Sequence, residues 1–280
     1  MVADKQHHNW LNFWQDPVVA FEEITPRLLA QHRVVAIAPG AAEYLEDCKL
    51  ILGWKRDGLL PDTKLALVSY KGVQLWSPET DALAECWVIH TNSERDRIKS
   101  KRLIFLPLGL GKLKPGADDG YLFLGGRKMR DFHVALEAVS ITGHPCIAVS
   151  DFLPAQEYAG VDMRRERIPK RDYSAIMANS KAVLVPLRQT AISHGHMDVV
   201  SAILAGKPVA VTQGASCDDY VEHDHSGVLV RDNTVECWVE AVERVWTNAQ
   251  RYGEAAVEKS AEVTAERYAQ NVRGLVRTMV

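Results

Sequence analysis

Residues 183–212 constrain this chain more than any other stretch. Val183-Leu184-Val185-Pro186-Leu187 leads through a loop to Met197–Ala205, then to Gly206-Lys207-Pro208 and Val209-Ala210-Val211-Thr212. The two β-branched runs read as buried strands, and the segment between them has the 3.6-residue apolar period of a helix. Gly-Lys-Pro ends that helix and starts the next strand. The turn Ser193-His194-Gly195-His196 comes just before the helix, whose free N–H groups and positive dipole end make an anion site. In doubly wound sheets ligands sit at the carboxyl ends of such strands. Gly195 reads as an exposed turn position that lets backbone N–H groups approach a ligand.

The same alternation runs through the chain and gives an α/β class. Strands are expected at Arg33–Ala38, Lys64–Tyr70, Cys86–Thr91 and Arg102–Pro107, with helices at Ala41–Lys55 and Ser93–Lys99. Farther on, strands are expected at Tyr121–Leu124, Cys146–Ser150, Ala182–Val185, Pro208–Thr212 and Gly227–Val230. The helices there are one carrying Phe132, Leu136 and Val139, then Asp172–Asn179, Met197–Ala205, Val235–Thr247 and a long stretch from about Gly253. At 280 residues the chain is long enough for two small domains. Gly109–Gly120 lacks an apolar period and reads as the linker, giving domains 1–112 and 113–280. The aromatic segment His8–Phe21 reads as a helix packed on the first domain.

Composition closes off several classes. A net charge of −3 offers no general attraction to nucleic acid. Lys99, Lys101, Arg102, Lys112 and Lys114 read as a solvated face beside the linker. Five widely spaced cysteines without a C-x-x-C pair suggest neither disulfides nor zinc, which fits a reducing cytoplasm. No apolar run reaches the length of a membrane span, and the N-terminus has no secretory pattern. A Rossmann oxidoreductase is set aside because no candidate strand is followed by Gly-x-Gly-x-x-Gly.

The 183–212 stretch resembles the donor-site motif of retaining GT-B glycosyltransferases, where a Glu-x7-Glu pair precedes a Gly-x-Pro-Val strand. Aligned on Gly206-Lys207-Pro208-Val209, the two glutamates fall on Ser193 and Ser201. Three further matches occur in the family's order. Tyr121–Asp131, with Gly126, Arg127, Lys128 and Arg130, resembles the first donor-domain strand and its diphosphate-binding loop. Arg167-Ile168-Pro169 through Tyr173 resembles the strand end and helix over the nucleotide base. Asp218–Val230 resembles the closing segment.

The resemblance implies two Rossmann-like domains facing across a cleft, 1–112 on the acceptor side and 113–280 binding the nucleotide sugar, with the last helix packing back toward the first domain, and a hexosyl- or pentosyltransferase using a nucleotide-diphosphate sugar. Gly126, Arg127, Arg130, Ile168, Pro169, Ser193, His194, Gly195, His196 and Ser201 would bind the donor. His196, Arg127 and the strand-end His90 would act in catalysis, and Ala38-Pro39-Gly40 is a second strand-end candidate in the first domain. Without an Asp-x-Asp string no metal is expected, nor any cofactor. The acceptor, a glycan, a small molecule or a modified DNA base, is left open. The alternatives are a GT-B-shaped scaffold without activity, favoured by the two missing glutamates, and a phage-type DNA-base glycosyltransferase.

Overall fold

The computed structural model describes residues 1–3, 23–38, 45–68, 72–100, 102–127, 129–188, 194–214 and 216–279. The His8–Phe21 segment, Pro39, Gly40, Lys128 and Ser193 lie outside the described residues. The chain forms two compact units, Met1–Gly111 with Ala265–Val280, and Lys112–Thr264.

In the first unit β1 (Val2–Ala3), β2 (Val34–Ala38), β3 (Lys64–Val68), β4 (Cys86–Ile89) and β5 (Leu103–Phe105) stand parallel in sequence order. They are accompanied by α1 (Pro26–Leu29), α2 (Leu45–Arg56), α3 (Gly72–Leu75) and α4 (Pro78–Leu83). Because side chains alternate along a strand, the sheet has two different faces. Val35, Ile37, Leu65 and Leu67 join Cys48, Ile51 and Leu52 of α2 in one core. Ala36, Ala66, Val68, Cys86 and Val88 point the other way, and their small size lets a helix lie close.

The second unit holds β6 (Leu122–Gly125), β7 (Cys146–Val149), β8 (Val161–Arg164), β9 (Ala182–Val185), β10 (Val209–Thr212) and β11 (Gly227–Val230). All are parallel, in the order β11-β10-β9-β6-β7-β8. The chain runs outward from β6 to β8, returns to β9 on the other side of β6, and runs outward again. The order therefore reverses between β6 and β9, where open α/β sheets take their ligands. Helices α5 (Phe132–Thr142) and α8 (Val235–Thr247) bury Leu136, Val139, Trp238 and Val242 against Leu122, Leu124, Leu184 and Val228. On the other face α7 (His196–Leu204) packs on β9 and β10, with α6 (Lys170–Asn179) and α9 (Ala249–Ser260) beside it. The Gly-Lys-Pro lysine is structural: Lys207 is buried, its ammonium donates to the Ala117 carbonyl at 3.0 Å, and burial lowers its pKa.

The last helix, α10 (Ala265–Arg277), belongs to the first unit, as expected of a last helix packing back on that domain, and the second unit therefore ends at Thr264 where a boundary at residue 280 was expected. Ala265, Tyr268, Ala269 and Val272 cover the small-residue face of the first sheet, and the Ala265 N–H donates to the Leu110 carbonyl at 2.7 Å. Burial of Val272 alone contributes about 1.5 kcal/mol or more. Other differences from expectation are local. Ser93–Lys99 is no α-helix: a 3₁₀ turn spans Asn92–Glu94, and Ile98 is the lone apolar residue that could anchor a longer one. The stretch from Gly253 is broken between Ser260 and Ala265, where the chain crosses from one unit to the other. Strand β8 is too short and too charged, as Val161-Asp162-Met163-Arg164, to stand out by pattern. Among the described residues no helix is long and apolar enough to cross a membrane.

Candidate functional site

The loop after β6 is held by its own side chains. A Cβ on Gly125 would collide with the Tyr173 hydroxyl, and one on Gly126, where φ is +100°, would lie 2.5 Å from Arg130 Nε. Gly126 thus makes room for Arg130 to fold back over the strand end, and Gly125 makes room for the Tyr173 hydroxyl. Arg130 Nε donates to the Gly125 carbonyl at 3.1 Å, and its Nη2 makes a short ion pair with Asp198 Oδ2. The Tyr173 hydroxyl donates to the other Asp198 oxygen at 2.9 Å. Burial, then the neighbouring Asp198 charge, push the Tyr173 phenol well above its usual pKa, so it stays a donor. Arg130 and Asp198 side chains are 4% and 15% exposed, which makes this a buried pair tying the β6 loop to the start of α7.

Further bonds stitch the strand ends together. The Asp131 N–H donates to the Pro186 carbonyl and the Arg188 N–H to the Met129 carbonyl, both at 3.0 Å. Thr212 Oγ1 accepts from the Leu187 N–H at 2.8 Å and donates to Asn233 Oδ1 at 3.2 Å, while Asn233 Nδ2 reaches Asp131 at 2.9 Å.

Beside this frame is a cavity of 250 Å³ lined by Gly126, Arg127, Val149, Ser150, Asp151, Glu166, Arg167, Ile168, Lys170 and Tyr173. It sits past the carboxyl ends of β6, β7 and β8. Arg127 forms a fork-to-fork pair with Asp151, 2.8 Å from Nε to Oδ1 and 2.6 Å from Nη2 to Oδ2. The Arg127 hydrogen bond holds the Asp151 carboxyl below its usual pKa, and the Asp151 bond raises that of Arg127. The guanidinium also lies 5.2 Å above the Phe152 ring. Ile168 and Val149 give the cavity an apolar floor, with Arg167 and Lys170 as further cations. Its volume is below the roughly 300–1,000 Å³ of whole small-molecule sites, so it fits part of a ligand.

The turn into α7 is more enclosed. Gly195 is the N-cap at φ +90°, and a Cβ there would meet Leu187 at 2.9 Å and Cys217 at 3.2 Å. His194 is clamped by Ser216, whose Oγ accepts from its N–H and donates to its carbonyl, each at 3.0 Å.

Several solved structures share the fold of this chain. Sucrose-phosphate synthase from Thermosynechococcus elongatus matches at TM-score 0.66 and 14% identity, over 89% of this chain and 74% of that one. HepE from Anabaena, in complex with UDP, matches at 0.68 and 12%, over 94% and 86%. A glycosyltransferase from Rickettsia africae matches at 0.66 and 10%, over 91% and 79%. The fold is GT-B. No protein-family model matches the chain, and no curated protein does.

Within this GT-B chain the structure brings Gly126, Arg127 and Ile168 together on one cavity. Pro169 stands at the N-cap of α6, its carbonyl accepting from Asp172 and Tyr173 at 3.0 Å, and does not line the cavity. Ser201 is half-buried inside α7 and does not line it either. Arg130 is turned inward onto Gly125 and Asp198, which corrects its expected place against a diphosphate. His196 is buried, edge-on to Tyr220 with ring centroids 5.3 Å apart, so its ring is packed where a ligand-facing group was expected. Gly195 is half-buried beside Leu187 and Cys217, not exposed.

In the first unit His90 is also buried. Its Nδ1 is 3.0 Å from the Leu106 carbonyl and its Nε2 is 3.3 Å from the Tyr268 hydroxyl, a structural placement for a residue expected in catalysis. The site residues that the sequence pattern missed are the carboxylates Asp151 and Asp198 and the buried Tyr173 hydroxyl. Asp198 had one visible signal, an acidic residue in the first turn of α7. Among the described residues no three His, Cys, Asp or Glu side chains gather as a metal ion would need.

Proposed function

We propose that the protein is a glycosyltransferase that takes a sugar from a nucleotide-diphosphate donor, without a metal ion. The observation that carries this is the cationic, partly apolar cavity at the carboxyl ends of β6, β7 and β8 in a GT-B fold. The base would lie against Ile168 and Val149, with Arg167 and Lys170 near the ribose side. Arg127, the cation shared with the neighbouring cavity, would meet the diphosphate. As the anomeric C–O bond breaks, negative charge grows on the departing diphosphate, and a guanidinium already fixed by Asp151 and Phe152 stabilises it without reorganising. The transferred group would be a hexose or pentose, and the reaction cytoplasmic.

Titration of UDP, GDP and ADP into EDTA-treated protein tests the reading, with UDP first because the similar HepE structure contains it. One nucleoside diphosphate should bind without metal, and Arg127→Ala should weaken it by about 1.5–3 kcal/mol, the range of a charge-assisted hydrogen bond. A second reading, a GT-B-shaped scaffold, is favoured by the pairing of Arg127 and Arg130 with carboxylates of the chain itself. Absence of binding by every nucleotide and nucleotide sugar would establish that reading instead.

A further inference from the structure

A cavity of 420 Å³ lies at the far edge of the second sheet, on β11, away from the cavity past β6, β7 and β8. Three consecutive residues of β11 line it, Val228, Leu229 and Val230. Successive side chains point to opposite faces, so a wall made of three in a row is the open edge of the strand, with its backbone groups. The opposite wall is one stripe of α8, Cys237, Glu240, Ala241 and Arg244, at helical spacing. A groove between an edge strand and a helix is where an extended peptide can add a strand to a sheet.

The chain itself closes the first half of that edge. The Asp224 N–H donates to the Gly227 carbonyl at 2.9 Å, and the Leu229 N–H donates to His223 Nδ1 at 3.0 Å. Val230 faces inward, its carbonyl accepting from the Gln213 N–H at 2.8 Å. Backbone groups alternate in direction along a strand, so the Leu229 carbonyl and the Arg231 N–H face out, and neither has a partner among the described residues. One residue of a parallel strand takes this pair, its N–H reaching the first and its carbonyl the second. An antiparallel neighbour at Leu229 would need that residue's N–H as well, and His223 already holds it.

We propose that this groove binds an extended segment of a partner protein, parallel to β11, with a small apolar residue opposite Val230 and a lysine or arginine two residues later. The residue opposite Val230 shares its face, which is the α8 side, since Val230 packs with Trp238, Ala241 and Val242. Cys237 and Ala241 are small and leave room there for a valine-sized side chain. Two residues on, the partner's side chain comes level with Asp232. Charge selects a base at that place. Arg244 is taken by Asp224 at 3.1 Å, from outside the lining, and His223 is held as an acceptor, so the exposed Asp232 and Glu240 outnumber Arg231. The inference does not depend on the donor reading.

The probe is the peptide acetyl-Thr-Val-Thr-Lys-amide, titrated calorimetrically into the full chain, and saturable binding is expected. Methylating the valine nitrogen removes the N–H that meets Leu229 and should weaken binding about 3- to 10-fold, as loss of one hydrogen bond does. Arg231→Pro removes the other bond with a similar loss, because an edge strand tolerates proline where its N–H faces solvent. Arg231→Ala keeps that N–H and should bind the probe at least as well as the wild type. A probe with glutamate in place of lysine should bind more weakly, and Asp232→Asn with Glu240→Gln should remove that preference. A melting curve for each variant shows that it is folded; if Arg231→Pro is not, the methylated probe decides. Equal affinity for the methylated and parent probes, equal affinity for the lysine and glutamate probes, or no binding of the parent probe overturns the proposal. So does self-association that Arg231→Pro abolishes while the probe fails to bind, which would give the groove to a second copy of the chain.

Discussion

His90 and Arg127 are both charged or polar groups just past a parallel strand, one in each unit, and the structure treats them oppositely. His90 is sealed in by the Leu106 carbonyl and by Tyr268 of α10, a helix that arrives from the far end of the chain. Arg127 keeps a side chain 48% exposed on the rim of a cavity, oriented by Asp151 and Phe152. Position at a strand end does not make a site. What decides is whether another element covers the end, and at β4 α10 does.

The comparison can be broken by substitution, and the largest effect belongs to the enclosed turn of the second unit. Gly195→Val adds a branched side chain at φ +90° against Leu187 and Cys217. It should cost about 3 kcal/mol, from left-handed strain plus overpacking, seen as a lower melting temperature; an unchanged melt would mean the turn is open after all. Next comes the Arg130–Asp198 pair. Asp198→Ala strands a buried guanidinium and should cost about 3 kcal/mol, while Arg130→Met with Asp198→Leu should cost less than the sum of the single changes. Additive losses would show that the pair is not the tie between loop and helix.

His90→Ala should lower stability by about 1–2 kcal/mol, the cost of two lost hydrogen bonds partly relieved by relaxation, and leave nucleotide affinity untouched. The reverse result, affinity lost at constant stability, would return His90 to the site. The smallest effect is that of pH. The Arg127 bond depresses the Asp151 pKa, so their pairing favours the folded state above the unfolded carboxylate value and fades as pH falls through the folded one. Below about pH 4 the wild type should therefore lose stability slightly faster than Arg127→Ala. Parallel melting-temperature curves in acid would show that the exposed pair adds nothing to folding.

Much of the fold was legible because its signals are local. The β-branched runs at Ala182–Val185 and Gly227–Val230 and the periodic run at Val235–Thr247 fall where the strands and helix form. Gly126, Arg127 and Ile168 line one cavity. The short, charged β8 and the 3₁₀ turn at Asn92–Glu94 were not legible, since neither carries enough apolar period to separate strand, helix and turn.

Strand and helix type depend on side chains two to four residues apart, and the sequence by itself determined the α/β alternation and the GT-B resemblance. Which polar groups are spent on the protein and which are left for a ligand depends on partners far away in the chain. Arg127 meets Asp151 24 residues on, Arg130 meets Asp198 68 residues on, and His90 meets Tyr268 across 178. Such partners hold Arg130 and His90 inward, packing on Tyr220 does the same for His196, and Arg127 is left on the rim of a cavity. Only the tertiary structure decided them, because desolvation and packing act on neighbours in space and not on neighbours in sequence.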